Sequence, residues 1–426
     1  MFDLCGSVDV DADEAALVEG IAELERVKSV AAAGQARLTV ALDLQRRARE
    51  KAEGVAAARR CRGLGSEVAL ARHDAPNRGG RHLGLARALV LEMPHTLAAL
   101  AAGALSEWRA TLIVRESACL SVADRGTLDA EMCADVSELE GKGDKRIAAE
   151  AKAIAYRLDP QAVVDRGVRA ERERSVSIRP APDNMTYVTV LLPMVQGVSV
   201  FASLKHQADT TCDGRSRGAV MADTVVERIT GQPADVPTPI AVNLVLTDET
   251  LLGGANDPGH VPGYGPVPAA IACRLAGDAI TDERSKASLR RVYRHPKSGA
   301  LVAMESRSRL FPAGLARFIA LRDDTCRTPY CDAPIRHTDH VVSAARGGLT
   351  SAGNGVGACA ACNYAKEAPG WQVSTGLENG RHTAEFVTPT GARHRCKAPP
   401  LPGGPLITVS EVELNIAIEL ADLHAA

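Results

Sequence analysis

The sequence predicts an α+β protein: a mainly helical N-terminal domain with a small sheet, followed by a small module stapled through cysteines. Three observations predict it. Apolar residues recur at helical spacing in Ala-rich segments up to about Asp159. Beyond that point β-branched runs alternate with Pro and Gly. Four cysteines then fall in two close pairs between Cys326 and Cys362. Aromatics make up only 3% of the 426 residues. Ala, Leu and Val must therefore fill most of the core, which favours closely packed helices.

The elements follow in order. Leu17, Ile21, Leu24, Leu38 and Leu42 place a helix across Asp13 to about Gly54. A second helical block runs from about Gly80 to Ala110, broken near Pro94, where the missing N–H and the ring oppose an uninterrupted helix. Gly103 and Ser106 mark a helix end and a new N-cap before "EWRATLIVRESACL". A third block spans "DRGTLDAEMCADVSELEGKGDKRIAAEAKAIAYRLD". The runs "VSIRPAP", "MTYVTVLLP" and "GVSVFASL" read as strands. "ADTVVERIT" reads as a helix, "PIAVNLVLTDETLLGG" contains a buried strand, and "GHVPGYGPVPAA" is a loop entering a helix. A basic connector holds a strand at "ALVAMES", and "PAGLARFIALRD" is a short helix with Pro near its start. "VSEVELNIAIELADL" closes the chain as a short helix. The expected domains are residues 1–275, a connector at 276–321, the cysteine module at 322–372, and strands with a Pro-rich tail at 373–426.

The net charge of −2 says nothing about a nucleic-acid partner, but its distribution does. From Arg284 to Arg346 there are 13 Lys/Arg against 5 Asp/Glu. That segment is either an anion-binding face or a solvated helix face. The first residues carry no basic n-region, and the most apolar runs are interrupted by charge, Pro or Gly, so no secretory signal or membrane span is expected. A cytoplasmic protein is expected, in which structural disulfides are rare.

Of the 11 cysteines, seven are scattered and read as small buried hydrophobes or incidental thiols. Cys326-x4-Cys331 and Cys359-x2-Cys362 are different. A structural zinc takes four soft ligands in a tetrahedron, and close-spaced pairs fit it. Metal-free buried thiols or a redox pair would use the same residues. The 27 residues between the pairs exceed what a minimal zinc ribbon needs. They hold "HTDHVV" and "ARGGLT", which read as a strand and a Gly-Gly turn, then "NGVGACAACNYAK", which reads as a returning strand feeding a helix. Adjacent residues on a strand face opposite sides, so Asp339 and His340 share a site only at a strand end or bulge.

The ordered series C-x4-C, DH-V, GG-x-T, N and C-x2-C-N-x2-K, over about residues 322–371, resembles the HNH endonuclease motif in its zinc-bearing ββα-metal form. The upstream "SEWRATLIVRE" and "LLGGANDPGHVPGYGPVP" are similar to a bacterial domain of unknown function (number 222) that often precedes an HNH module. The resemblance implies a metal-dependent nuclease acting on DNA. It implies that His340 is the general base activating water and that Asn354 pins the hairpin loop that orients it. It implies that Asp339 and Asn363 hold a catalytic divalent metal, and that Cys326, Cys331, Cys359 and Cys362 hold a structural Zn²⁺. The final motif position is Asn rather than His, which favours Mg²⁺ or Mn²⁺ over a transition metal. Gly355 follows Asn354 where the motif usually has an apolar residue. Arg327, Arg336, Arg346 and Lys366 are the candidate contacts to the DNA backbone. Two other readings compete: a zinc-stapled nucleic-acid-binding module without catalysis, and an interaction protein whose long N-terminal region does the work. A homo-oligomer through the N-terminal helices would suit cutting both strands with one site per chain.

Overall fold

The computed structural model describes residues 13–183, 185–234, 244–252, 254–281, 305–306 and 310–401. These residues form two compact units that divide between Ala170 and Glu171.

The first unit is helical. Its members are α1 (Glu14–Ala52), α2 (Leu64–Ala71), α3 (Gly79–Leu91), α4 (Pro94–Ala101), α5 (Glu107–Ser117), α6 (Val122–Cys133), α7 (Asp144–Leu158) and α8 (Pro160–Ala170). Local chemistry sets their starts. Asp13, Ser106 and Ser121 each accept a backbone N–H of the first turn through a side-chain oxygen. Pro94 occupies the first position of α4, where a missing N–H costs nothing. The two free N–H groups of His95 and Thr96 donate to the buried Asp129 carboxylate at 2.7 Å each.

Leu89, Met93, Leu100, Ile113, Leu128 and Ile147 are fully buried and form the centre of the core. Ala32, Ala33 and Ala36 line the face of α1 that meets them. These small side chains let the helices approach closely, as the scarcity of aromatics requires. The tightest approach is glycine on glycine. A Cβ on Gly79 would lie 1.8 Å from the Gly65 carbonyl oxygen, so α2 and α3 touch backbone to backbone. The first turns of α1 behave otherwise, and Leu17, Val18, Ile21 and Leu24 there are exposed.

The second unit combines small sheets with helices. β1 (Ser175–Pro180) and β2 (Thr186–Leu191) form an antiparallel hairpin with Val176 opposite Val190 and Ile178 opposite Val188. α9 (Met194–Thr210) follows and corrects the strand expected at "GVSVFASL". The valines there have high strand propensity, but β2 ends at Leu191 and Pro193 occupies the N-cap position of the helix. The run then continues through Ala, Leu, Lys and Gln, and propensity summed over 17 residues outweighs a few β-branched side chains. α10 (Arg217–Thr230) packs on α9 and stops at Gly231, in the left-handed conformation. α11 (Asp248–Leu252), β3 (Gly259–Val261), β4 (Gly265–Val267) and α12 (Ala269–Thr281) come next. The "GHVPGYGPVPAA" loop is thus a short hairpin. Of the expected buried strand, residues 239–243 lie outside the described residues, and Val245 bridges to His260. Most of the basic connector and the expected C-terminal helix also lie outside them.

The cysteine module begins with β5 (Glu305–Ser306) and α13 (Ala313–Asp323). β6 (His337–His340), β7 (Thr350–Ser351), β8 (Gly355–Ala358) and α14 (Ala360–Lys366) follow. β6 pairs antiparallel with β8, and β7 pairs with β5. Three further strands, β9 (Gln372–Glu378), β10 (Arg381–Val387) and β11 (Arg393–Lys397), form an antiparallel sheet with β10 in the centre. His382, Ala384 and Phe386 alternate along β10 and are buried, so one face of this sheet is interior. No single helix among the described residues is long and apolar enough to cross a membrane.

Candidate metal and active site

The four clustered cysteines meet. Their Sγ atoms all lie within 4.8 Å of one another, and all four residues are buried. Cys331 Sγ is 3.9 Å from Cys359 Sγ and 3.6 Å from Cys362 Sγ. Tetrahedral zinc with Zn–S near 2.3 Å requires sulfur pairs about 3.8 Å apart. The second pair sits at the start of α14, where Cys359 is the N-cap and its Sγ accepts from Cys362 N–H. Hydrogen bonds from Cys331 and Cys362 hold the Cys326 thiol far below its ordinary pKa. The same contacts with Cys326 push Cys331 and Cys362 up. Of these three sulfurs, Cys326 is the one favoured as a thiolate. Four thiolates so close need a positive ion between them, and the cluster could hold zinc.

The hairpin between the pairs is built on a forced turn. Gly347 has φ +83°, and a Cβ on Gly348 would lie 1.7 Å from the Val342 carbonyl oxygen. Asn354 ties the two sides together. Its Nδ2 donates to the Val342 and Leu349 carbonyls at 2.9 and 2.8 Å, and its Oδ1 accepts from Val342 N–H at 2.9 Å. Its own carbonyl accepts from Val341 N–H at 2.8 Å.

Asp339 and His340 are successive residues of β6 in regular register, opposite Val356 and Gly355. Their side chains meet different groups. The His340 ring is buried, with its centroid 4.4 Å from that of Phe311 and Nε2 2.9 Å from Thr350 Oγ1. The Asp339 carboxylate receives the Lys366 ammonium of α14 at 2.8 Å. The same ammonium donates to the His340 carbonyl at 3.3 Å. His340 is the last residue of its strand, the position at which two adjacent side chains can be brought towards one site.

Asn363 lies one turn before Lys366 on the same face of α14. Its Oδ1 is buried and has no hydrogen-bond partner among the described residues. A buried amide oxygen left unpaired costs about 1–3 kcal/mol, so the position calls for a ligand. Oxygen donors of this kind, a carboxylate and a neutral amide, suit a hard divalent cation.

The four basic residues divide. Arg336 and Arg346 are exposed. Arg327 and Lys366 are buried and are not available as surface cations. Lys366 is consumed by Asp339, Glu367 and the His340 carbonyl. The Arg327 guanidinium points inward, donating to the Cys396 carbonyl at 3.2 Å and lying 3.6 Å from Asp323. Sequence spacing could not separate these cases, because burial depends on segments far along the chain.

Sequence reasoning also missed the groups behind the hairpin. Asp323 is buried between two arginines. It pairs with Arg322 Nε at 2.7 Å and accepts from Gly357 N–H at 2.7 Å. Arg322 in turn donates to the carbonyls of Ala352 and Gly355. No local signal marked Asp323 or Arg322, because their partners Gly357, Ala352 and Gly355 lie 30 to 34 positions further along the chain. Replacing Asp323 with Ala would leave Arg322 and Arg327 uncompensated. The expected loss is about 3–5 kcal/mol in urea unfolding followed in the cysteine module. An unchanged midpoint would show that the arginines find solvent instead.

Comparison with family models matches residues 14–323 to one described as Domain of unknown function (DUF222). The match ends at the last residue of α13, so the hairpin and all four clustered cysteines lie outside it. No curated protein and no solved structure matches the chain.

Proposed function

The chain belongs to the DUF222 family, whose description assigns no chemistry, and from the module beyond the match we propose a metal-dependent endonuclease of the HNH kind that hydrolyses DNA phosphodiester bonds. One observation carries the reading. Asn363, whose buried Oδ1 has no hydrogen-bond partner among the described residues, lies one turn from the lysine that holds Asp339, on the helix that Cys359 caps and Cys362 anchors. In this reading the ββα hairpin is an HNH core and the cysteines hold a structural Zn²⁺.

Asp339 and Asn363 would hold Mg²⁺ or Mn²⁺, which when bound neutralises charge on the phosphate and on the departing oxygen. Lys366 contacts Asp339 through Oδ2, which leaves the other carboxylate oxygen for the cation. His340 takes the proton of the attacking water. In the tautomer whose Nε2–H donates to Thr350 Oγ1, the ring keeps the Nδ1 lone pair for that task. Asn354 holds the loop that follows His340. Arg336 and Arg346 are the exposed cations left for the phosphate backbone, where contacts position the duplex without reading sequence.

A supercoiled plasmid tests this directly. Nicking is expected with Mg²⁺ or Mn²⁺ and none with EDTA. Asn363→Ala should raise the half-maximal Mn²⁺ concentration by about tenfold or more. Failure to nick with either cation would overturn the proposal. The second reading, a zinc-stapled DNA-binding module without cutting, is favoured by one contact: Lys366 already neutralises Asp339. DNA retention on a gel without nicking would select it.

A further inference from the structure

We propose that His382 is a positioning residue, holding from the C-terminal sheet the turn that presents Asn354 to the hairpin loop. Its kinetic consequence rests on the nuclease reading above, but its structural consequence does not.

The turn from Ala352 to Gly355 has glycines on both sides of Asn354. Glycine backbone has little conformational preference, so the turn does not fix its own shape. Each of its four carbonyls nevertheless accepts a hydrogen bond. Ala352 and Gly355 receive Arg322, Asn354 receives Val341 N–H, and Gly353 receives His382 Nε2 at 3.0 Å. Two clamps therefore come from outside the hairpin. Arg322 reaches in from α13, and His382 from β10, 29 residues further along the chain than Gly353.

The imidazole chemistry fits a donor held for one purpose. A carbonyl oxygen only accepts, so His382 Nε2 must carry the proton and Nδ1 the lone pair. That Nδ1 is buried and has no partner among the described residues. An apolar side chain would remove this unpaired acceptor, but it would also remove the donor to Gly353. The donor is what the ring supplies that Leu or Phe could not. Burial, with Arg322 nearby, pushes the ring's pKa down to about 4. It stays neutral near pH 7, and the clamp does not switch with protonation. The sheet is joined to the zinc loop as well, because Cys396 Sγ–H donates to the Arg327 carbonyl beside Cys326. The C-terminal strands are thus a working part of the module.

The test uses the full chain as wild type, His382→Ala and His382→Gln, with zinc content measured for each. Amide hydrogen exchange at Val341 and Val342 reports on Asn354, because both N–H groups end on its oxygens. Gly357 N–H, which ends on Asp323, is the internal control. In His382→Ala the Val341 and Val342 amides should exchange at least about tenfold faster, with Gly357 unchanged. His382→Gln, which retains a donor, should bring them back to within about threefold. Plasmid nicking with Mn²⁺ should lose roughly 10–100-fold in kcat in the alanine variant, with KM nearly unchanged. Equal exchange in wild type and alanine variant overturns the proposal, and so does a glutamine variant as fast as alanine. If the wild type does not nick, the nuclease reading fails and the exchange result alone decides the role of His382. If the alanine variant loses zinc, the glutamine variant decides: near-wild-type exchange supports the clamp, and fast exchange overturns it.

Discussion

One zinc ion per chain will accompany the purified protein, and Cys362→Ala will lose it together with the fold of the cysteine module. The expectation follows from how little else gathers the four sulfurs and the short elements that carry them. The hairpin strands β6 and β8 have four residues each, and α14 has seven. Elements this short do not persist alone in water. The apolar cluster around the sulfurs consists of the cysteines themselves with Ala358 and Ala333, while Leu315, Ile319 and Ala352 with Phe311 and Phe318 form a separate one behind the hairpin. Structural zinc in zinc-finger peptides contributes about 10–16 kcal/mol of apparent binding free energy near neutral pH, far more than such a cluster supplies by burial. Metal analysis of the wild type and near-ultraviolet dichroism of the variant, through the buried Trp371, make the check. A zinc-free protein with an intact module would sink it. The helices of the first unit should be untouched, because their core contains none of these cysteines.

His340→Ala is the second large effect. It should cut metal-dependent nicking by roughly 10²–10⁴-fold, the range for loss of a general base. Zinc content should be unchanged. The ring is buried against Phe311 and bonded to Thr350, so removing it also leaves a cavity and an unpaired hydroxyl. Some loss of stability is expected for that reason, and a loss of rate needs a control. His340→Gln keeps much of the volume and a hydrogen-bonding end but is no base. Inactivity in both variants, with both folded and zinc-loaded, assigns the base. Full nicking by either would remove His340 from the mechanism.

Helix starts are legible in the residues alone, because caps act over three residues: Asp13, Ser106 and Pro94 lie where local chemistry places them. The β1–β2 hairpin is legible from its β-branched alternation. The helix at "GVSVFASL" is not legible in a short window, since the residues that decide it lie on both sides. The meeting of the four cysteines is readable from their spacing, because a metal knuckle is a local device.

Lys366 and Arg327 mark where such reading stops. Both are basic residues beside the motif, like Arg336 and Arg346, and nothing local separates them. What separates them is partners far along the chain: Asp339 is 27 positions before Lys366, and the Cys396 carbonyl is 69 positions after Arg327. Sequence by itself determined which residue types stand at which spacing, and with them the local turns, caps and cysteine pairs. Tertiary structure alone decided which charges face inward, which hairpin carbonyls Arg322 and His382 clamp, and that Asn363 Oδ1 has no partner among the described residues. The reason is physical. Periodicity gives a side chain a face, whereas burial and hydrogen bonding depend on what the rest of the chain packs against that face.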